Sequence, residues 1–283
     1  MSRRGAIAVV AGFSRRRPMV AQVQAVRFAD DAAAPIDDAV AEETPVVLVY
    51  NGASQAVMMA TPADLEDFAV GFSLSEGIVR GPHEIASVAC EDVALGIEVR
   101  LQVPEGRAAR LRDRQRAIEG RTGCGLCGIM SLEQALRPLP VATPATAPVE
   151  PAAVVRALAE LPGLQLANRA SGAAHAAAFA GPDGRLRLVR EDVGRHNALD
   201  KLIGAMARAG DDPGRGFVVL TSRLSAELVQ KAAIAGIGML VAVSAPTSLA
   251  IELGEAAGVT LVAFARGRSF TVYAHPERIR QPT

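Results

Sequence analysis

The chain has 283 residues, of which 50% are hydrophobic, and its 30 basic side chains balance 30 acidic ones. This length suits one large domain or two smaller ones, and the apolar content is ample for a packed core. A net charge of zero gives no reason to expect nucleic-acid binding. A chain without Trp and with only two Tyr is also poorly equipped to stack single-stranded bases.

The N-terminus and the cysteines indicate the compartment. A short apolar stretch at residues 6–13 follows two arginines, like a twin-arginine export signal, but arginines at residues 15–17 occupy the place of a cleavage region. We therefore interpret this segment as a tail rather than a signal. No window of about 20 apolar residues lacks charge or turn residues, so no transmembrane helix is expected. Three cysteines that form no disulfide framework fit a reducing compartment, which predicts a cytoplasmic protein.

The first half of the chain predicts a small α+β domain behind a tail. Residues 1–42 are rich in Ala, Arg and Asp with weak periodicity, so we expect a poorly ordered tail. The stretch P-V-V-L-V-Y-N-G predicts a strand that ends in an Asn-Gly turn, with Q-A-V-M-M-A as its hairpin partner. Thr61 as N-cap and Pro62 at the first position predict a helix, and residues 85–102 alternate as strands. Residues 43–137 are thus assigned to an N-terminal α+β domain that ends in a cysteine-containing loop.

The second half predicts an α/β domain. Residues 138–151 are rich in Pro, Ala and Thr, as expected of a linker, and the domain is assigned to residues 152–283. Three continuous apolar strands, G-F-V-V-L-T-S, M-L-V-A-V-S and V-T-L-V-A-F, alternate with two helices, the first of which runs from Ser225 to Gly236. This order predicts a parallel or mixed sheet that is flanked by helices on both faces.

The carboxyl ends of the predicted strands are candidates for a ligand site, because ligands bind there in such sheets. These ends carry Thr221-Ser222-Arg223, Ser244-Ala245-Pro246 and Phe264-Ala265-Arg266-Gly267-Arg268. Hydroxyl groups, glycine and arginine suit a phosphate or a nucleotide. Ordinary polar loop ends are the alternative interpretation.

Cys124 and Cys127 form a CxxC within R-T-G-C-G-L-C-G. A structural zinc site needs four ligands, and only Cys90 and four histidines remain, so such a site would have to be shared or dimeric. The three glycines indicate a flexible loop, which disfavours a thioredoxin-like site and suits a thiol that reaches a partner's active site. A thiolate, favoured by nearby Arg121, could carry sulfur as a persulfide, and the second cysteine could resolve it by disulfide exchange.

Two further motifs contain histidine. His175, in S-G-A-A-H-A-A-A-F, lacks the H-x-E and the later P-C-x-x-C of a zinc-dependent nucleobase deaminase, so we interpret it as a packed histidine. R-E-D-V-G-R-H-N-A-L-D-K-L-I-G predicts a short helix whose N-terminal turn could attract an anion, with a surface ion-pair network as the alternative. The buried side of that helix is predicted at Val193, Leu199, Leu202 and Ile203. The candidate anion-binding turn offers Asp192, Gly194, Arg195, His196 and Asn197.

Taken together, the motifs resemble the FdhD family, the formate dehydrogenase accessory sulfurtransferases. R-T-G-C-G-L-C-G, R-E-D-V-G-R-H-N-A-L-D-K-L-I-G, S-R-L-S-A-E-L-V-Q-K-A-A, V-S-A-P-T-S-L-A-I-E-L and F-T-V-Y-A-H-P-E-R-I carry the resemblance. V-L-V-Y-N-G, M-M-A-T-P and G-F-S-L-S-E-G-I also match. The resemblance runs in order from about Thr44 to Ile279, and the ordered set is far more specific than any one motif.

The resemblance implies a sulfur carrier. Members of this family transfer sulfur from a cysteine desulfurase to the molybdenum bis(molybdopterin guanine dinucleotide) cofactor before its insertion into formate dehydrogenase. The cofactor is cargo, and no permanent cofactor or metal is expected. The family's persulfide-carrying cysteine maps to Cys124, and Cys127 matches the second cysteine. The family also implies a cytidine-deaminase-like core and a homodimer. Its guanine-dinucleotide stretch maps to Phe264, Ala265, Arg266, Gly267, Arg268 and Ser269.

From the resemblance and the strand-end pattern together, Arg266 and Arg268 are the expected phosphate contacts, with His196 and Asp192 as further candidates for the pocket. The competing hypothesis is a chaperone that binds and delivers the cofactor without sulfur chemistry, with the CxxC as a contact only.

Overall fold

The computed structural model of the chain describes residues 8–9, 17–30, 32–111, 139–141 and 148–280. These residues form a five-stranded sheet, a six-stranded sheet and a separate two-stranded hairpin. Within them, no helix combines the length and the apolar character needed to cross a membrane. The CxxC lies outside the described residues.

The five-stranded sheet belongs to the first half of the chain, and its strands run in the order β1-β6-β7-β4-β5. Asn51 and Gly52 turn the chain between β4 and β5 with positive φ angles of 47° and 84°, as an Asn-Gly hairpin requires. The predicted hairpin and the predicted strands at residues 85–102 are therefore confirmed. The strands are β1 (Ala8–Val9), β4 (Thr44–Tyr50), β5 (Ala53–Ala60), β6 (Ser87–Val93) and β7 (Gly96–Gln102).

Residues 20–29 and 32–41 pair as a hairpin, whereas the sequence led us to expect a poorly ordered tail. Strands β2 (Val20–Ala29) and β3 (Ala32–Ala41) pair antiparallel along their whole length. Most of their side chains are exposed, and the Phe28 side chain is 79% exposed. Because neither face is buried, the sequence lacks the apolar alternation from which a half-buried strand is recognised.

The six-stranded sheet forms the second half, in the order β13-β12-β11-β10-β8-β9. Its three central strands, β10 to β12, are parallel, and the outer strands pair antiparallel. The predicted alternation of buried strands and helices is confirmed, with a mixed rather than fully parallel sheet. The strands are β8 (His175–Ala180), β9 (Leu186–Asp192), β10 (Phe217–Leu220), β11 (Met239–Ala242), β12 (Thr260–Arg266) and β13 (Ser269–Ala274).

Helices cover both faces of this sheet, as predicted for an α/β domain. Helix α2 (Pro151–Leu164) buries Val154 and Leu161 against one face. Three helices bury apolar side chains in a single core on the other face. The cytidine-deaminase-like arrangement stays a prediction. Helix α3 is Leu166–Ser171, and the three helices of the second face are α4 (Arg195–Ala209), α5 (Ala226–Ile234) and α6 (Ser248–Ala257).

Helix α1 (Leu65–Ser75) begins three residues after the predicted first position, and its N-cap is Asp64 rather than Thr61. Thr61 is unable to cap the helix because distant residues engage its polar groups. Its N–H donates to Asp192 Oδ2 over 3.0 Å, and its Oγ1 accepts from the N–H of Val193 over 3.1 Å. A long-range contact has therefore overridden the local capping signal.

Two glycines allow α1 to pack closely on α4, which joins the two sheets. A Cβ atom on Gly71 would lie 1.7 Å from the carbonyl oxygen of Asp200, and one on Gly204 would lie 1.8 Å from that of Asp67. No other residue type fits such a crossing. Helix α1 thereby lies between the five-stranded sheet, whose core it shares, and α4.

Candidate ligand site at the strand ends

Backbone hydrogen bonds bring the predicted strand ends together at one edge of the six-stranded sheet. The N–H of Leu224 donates to the carbonyl of Ala245 over 3.0 Å, and the N–H of Thr247 donates back to Leu224. The N–H of Phe264 donates to the carbonyl of Ser244 over 3.1 Å. The segments that follow β10 and β11 and the end of β12 therefore form one continuous surface.

The end of β9 and the start of α4 lie at this same edge, because β8 pairs antiparallel with both β9 and β10. We use the term strand-end edge for His175 together with residues 193–196, 221–225, 244–247 and 264–269. Four inter-strand spacings separate β9 from β12, which makes the edge about 19 Å wide. This width suits an elongated ligand.

The predicted guanine-dinucleotide stretch forms the tight turn between β12 and β13, with Gly267 at φ 57°. Phe264 also has a positive φ, 50°, which is rare for a bulky residue, and its ring is 45% exposed against Tyr273. Ala265 is buried in the apolar core beneath α2, so it offers a ligand no exposed surface. Arg266 donates from Nε to the carbonyl of Val243 over 3.1 Å, and its remaining nitrogens lie at the surface.

The strand-end edge holds three of the five buried side-chain nitrogen or oxygen atoms that have no hydrogen-bond partner among the described residues. These three are Arg195 Nε, His196 Nε2 and Ser225 Oγ. The half-exposed Glu227 carboxylate lies beside two of them: its Oε2 is 3.9 Å from His196 Nε2, and it also interacts with the Ser225 hydroxyl. Helices α4 and α5 begin here without a side-chain cap, so the edge also receives the positive ends of two helices. Unpartnered donors at helix N-termini are the arrangement that binds an anion.

The permanent charge of the edge comes from arginines rather than from histidines. Burial, together with the charge of Arg195, lowers the pKa of His196 to about 4 and also lowers the pKa of His175. Both imidazoles are therefore neutral near pH 7 and act as hydrogen-bonding groups. Arg223, Arg266 and Arg268 form no ion pair with a described residue, so the edge keeps an excess of positive charge.

Two residues of the predicted anion-binding turn face the protein interior. Asp192 is fully buried and pairs with Lys201, with Oδ2 and Nζ 2.7 Å apart. Asn197 is also buried and donates from Nδ2 to the carbonyl of Met59 over 2.8 Å. Asp192 is therefore not a pocket residue, because its charge is already neutralised inside the fold. The helix itself extends to Ala209 and is longer than the short helix predicted.

The sequence model of the FdhD/NarQ family matches residues 41–280. The chain belongs to the FdhD/NarQ family. It is 51% identical over 260 residues to the sulfur carrier protein FdhD of Bordetella petrii, covering 92% of this chain and 93% of the relative. It is 54% identical over 250 residues to the protein of the same name from Chromobacterium violaceum, covering 87% and 92%.

A solved structure also resembles this member of the FdhD/NarQ family. It is a crystal structure from Desulfotalea psychrophila of a protein assigned as a formate dehydrogenase accessory protein. The two share 25% sequence identity with a TM-score of 0.74, over 93% of this chain and 100% of the other. The family resemblance seen in the motifs is thus confirmed, and the match includes both the CxxC and the strand-end edge.

Cys124 and Cys127, the predicted sulfur-carrying pair of this FdhD/NarQ chain, lie outside the described residues. The third cysteine, Cys90, lies half-buried on β6. Burial, and then the nearby carboxylate of Glu66, raises the pKa of the Cys90 thiol to about 12. A thiol with that pKa is a poor nucleophile near neutral pH, so Cys90 is a natural control for sulfur-transfer experiments.

A cavity among the described residues lies away from the strand-end edge. Its volume is about 590 Å³, and it is found at the far end of α4, beside Met206 and Gly210. Because a 15-residue helix is about 22 Å long, the cavity is well separated from Arg195 at the helix N-terminus. Its walls are largely apolar, as formed by Leu74, Val79, Ile203, Met206, Ile234 and Ile237.

Glu191 and Lys201, in the R-E-D-V-G-R-H-N-A-L-D-K-L-I-G motif, have structural roles that were not predicted from the sequence. The Glu191 carboxylate accepts hydrogen bonds from the N–H groups of Ala167 and Asn168 at the start of α3, and Lys201 neutralises Asp192. A signal was present for Lys201, because it lies beside Leu202 in an apolar stretch of the helix, where a charged residue needs a buried partner.

Proposed function

We propose that this chain is a sulfur carrier that serves formate dehydrogenase by delivering sulfur to the molybdenum bis(molybdopterin guanine dinucleotide) cofactor. The observation that carries the proposal is the strand-end edge, where Arg195 Nε is buried without a hydrogen-bond partner among the described residues and Arg266 and Arg268 are exposed, in a chain whose relatives are named sulfur carrier proteins. An edge of this kind needs an anionic ligand, and the cofactor carries phosphates at its guanine ends.

The turn between β12 and β13 is the proposed contact for one guanine nucleotide. Arg266 and Arg268 bind the phosphates, because guanidinium groups form charge-assisted hydrogen bonds with them. The exposed ring of Phe264 offers the guanine a stacking surface, and such stacking contributes about 1–3 kcal/mol per base. Arg195 and the N-termini of α4 and α5 take a further phosphate of this nucleotide and the other anionic groups of this elongated cargo.

Cys124 is the proposed sulfur carrier. Its thiolate attacks the outer sulfur of a desulfurase persulfide, so a new S–S bond forms on Cys124 and the donor cysteine leaves as a thiolate. When the Cys127 thiolate attacks the Cys124 sulfur of that persulfide, the terminal sulfur leaves as hydrosulfide for the cofactor. The remaining Cys124–Cys127 disulfide must then be reduced by a dithiol before the next cycle. The proposed partners are a cysteine desulfurase, formate dehydrogenase and a second copy of the chain, in the cytoplasm.

The proposed binding of the cofactor is tested by calorimetric titration with GDP, which carries the guanine and phosphate groups of the cofactor. Replacing Arg266 and Arg268 together by Ala should weaken GDP binding at least about tenfold, because two charge-assisted contacts are lost. Arg185→Ala is the matched control, since Arg185 is an exposed arginine in the turn between β8 and β9, at the opposite end of the sheet. Equal affinity in all three proteins would overturn the proposed site.

The sulfur half is tested with a cysteine desulfurase and ³⁵S-cysteine. Cys124→Ala should abolish labelling of the chain and activation of formate dehydrogenase, whereas Cys90→Ala should retain both. Full activation by Cys124→Ala would overturn the carrier mechanism. The combination of full activation by Cys124→Ala with loss of activity on replacing Arg266 and Arg268 would instead identify a cofactor chaperone.

A further inference from the structure

Thr61 belongs to the N-terminal half, directly after β5, yet it contacts the segment that leads to the strand-end edge. Its side chain is buried. Its N–H, Oγ1 and carbonyl groups contact Asp192, Val193 and Lys201. Its N–H donates to Asp192 Oδ2 over 3.0 Å, and its carbonyl accepts from Lys201 Nζ over 2.9 Å. Its Oγ1 accepts from the N–H of Val193 over 3.1 Å. Thr61 thus holds both the start of the turn and the helix that follows it.

Asp192 connects these contacts to the first residues of α4. Its Oδ1 accepts from the N–H of Gly194 over 2.8 Å and from Asn197 Nδ2 over 3.1 Å. Its Oδ2 pairs with Lys201, and both side chains are fully buried. Both oxygens of the Asp192 carboxylate and the Lys201 ammonium group meet protein groups, so neither side chain is available to a ligand.

We propose that Thr61 is a positioning residue for the strand-end edge, acting through the turn of residues 192–197. This inference rests on the proposed function, because it assigns Arg195 a phosphate of the bound nucleotide. The N–H of Val193, held by Thr61, lies two residues before Arg195. Fixing it sets the direction in which the Arg195 guanidinium and the His196 imidazole leave the helix. Binding groups need such support to within about 0.5 Å, and buried hydrogen bonds provide it.

The contacts that Thr61 and Asp192 make also explain why the turn of residues 192–197 needs support from outside the six-stranded sheet. A Cβ atom on Gly194 would lie 2.9 Å from Asn197 Nδ2, so the turn leaves little room for an alternative packing. Helix α4 has no side-chain cap of its own, and the Asp192 carboxylate is the acceptor that orders the residues before it. The five-stranded sheet thereby fixes the geometry of a binding surface on the six-stranded sheet.

Thr61→Val tests the proposal, with Thr61→Ser as the matched control. Valine keeps the shape of the side chain and removes the acceptor for the N–H of Val193, whereas serine keeps the acceptor. We expect Thr61→Val to weaken GDP binding about three- to tenfold in calorimetric titrations. Guanosine has no phosphate to reach Arg195, so its affinity should be unchanged, and Thr61→Ser should restore GDP binding to the wild-type value.

The comparison of GDP with guanosine separates positioning from a loss of folding. An equal loss for both ligands, or no loss for either, would overturn the positioning role. Arg195→Gln identifies which proposal has failed. If Arg195→Gln weakens GDP binding while Thr61→Val does not, the positioning role alone is wrong. If the wild-type chain binds no GDP, or Arg195→Gln leaves its affinity unchanged, the assignment of the phosphate site is wrong and the positioning role falls with it.

Discussion

Helix α4 contributes to two polar regions, its interface with α1 and its N-terminus, which differ in whether their polar atoms have partners in the protein. On the side that faces α1, its Asp200 carboxylate is buried and paired with Lys231 of α5: Lys231 Nζ lies 2.9 Å from Asp200 Oδ2 and 2.8 Å from Oε1 of Glu76, the residue after α1. At its N-terminus, Arg195 and His196 have buried nitrogen atoms without a partner among the described residues. Helix α4 therefore has paired charges on the face that packs on α1, and at its N-terminus it has nitrogen atoms without a hydrogen-bond partner among the described residues.

The difference separates what holds the fold together from what is left for a ligand. Burying a polar group without a hydrogen bond costs about 1–3 kcal/mol, so a fold rarely keeps several such groups close together. The α1–α4 interface follows that rule, since Asp67 there meets both Arg190 and Arg208. The strand-end edge departs from it at three atoms. A bound anion would accept from donors that the protein leaves open, above all Arg195 Nε, which is the basis for placing the ligand there.

The largest expected effect comes from breaking the interface sterically. Gly71→Ala would place its Cβ 1.7 Å from the carbonyl oxygen of Asp200, so α1 and α4 would have to separate. We expect the free energy of unfolding in urea to fall by about 4 kcal/mol or more. Gly163→Ala is the control, since Gly163 lies within α2 with no atom within 4 Å of the added Cβ. That variant should be neutral or stabilised by up to about 1 kcal/mol. Similar losses in both variants would contradict the close crossing.

Removing one partner of an interface pair should have the next largest effect. Lys231→Met leaves the Asp200 carboxylate buried with Ser75 Oγ as its remaining donor, 2.6 Å away. We expect a loss of about 3–5 kcal/mol in urea unfolding, because a buried charge without its counter-ion is costly. Arg100→Met, at an exposed pair with Glu98, should leave the free energy of unfolding nearly unchanged. Adding Asp200→Asn to Lys231→Met should recover part of the loss, and a further loss would show that the charge is not the cause.

The sequence predicted those parts of the fold whose signals are local. The apolar runs of β10, β11 and β12 and the glycine after α5 reflect burial and backbone conformation at the residues themselves. The prediction that Thr61 caps α1 was wrong because a capping signal describes only the next few residues. The partners of Thr61 lie more than 130 positions away. The prediction that Asp192 lines the pocket was wrong because it, too, rested on the local sequence alone. An acidic residue at a helix start can face solvent or the interior, and Lys201 decides between them only once the helix has packed.

The candidate site was predicted in composition but not in arrangement. The arginines of the turn between β12 and β13 and the polar strand ends do share one edge, because carboxyl ends of parallel strands always do. The contribution of Ser225 had no sequence signal, since a serine at a helix start normally caps it. The lack of a cap bond, which makes its hydroxyl available, is a property of the packed structure.

Acid should destabilise the protein partly through His196 at the strand-end edge. Its pKa of about 4 in the fold lies below the ordinary value of about 6.5, so the unfolded chain binds more protons between these values. Stability should therefore fall as the pH drops from about 6.5 towards 4. The imidazole is 36% exposed, so screening limits the effect to about 1 kcal/mol. His196→Gln should show a shallower fall in urea titrations across this range. Parallel curves for the two proteins would contradict a buried, neutral His196.

The smallest expected change in stability comes from replacing Ser225. This substitution separates the role of the α1–α4 interface from that of the strand-end edge most clearly. Ser225→Ala removes a buried hydroxyl whose neighbouring acceptor is the half-exposed carboxylate of Glu227, so stability should change by no more than about 0.5 kcal/mol. Affinity for GDP should nevertheless fall about three- to tenfold, because a donor for the anion is lost.

Thr247→Ala is the matched control for this last substitution. Thr247 caps α6, and its Oγ1 accepts from the N–H of Ala250 over 3.3 Å, so its loss should cost about 1 kcal/mol of stability. Because that oxygen is already engaged, GDP affinity should stay near the wild-type value. The two hydroxyls thus predict opposite outcomes: one change lowers affinity without lowering stability, and the other lowers stability without lowering affinity. If both variants lose stability and neither loses affinity, the unpartnered atoms of the edge are not ligand contacts.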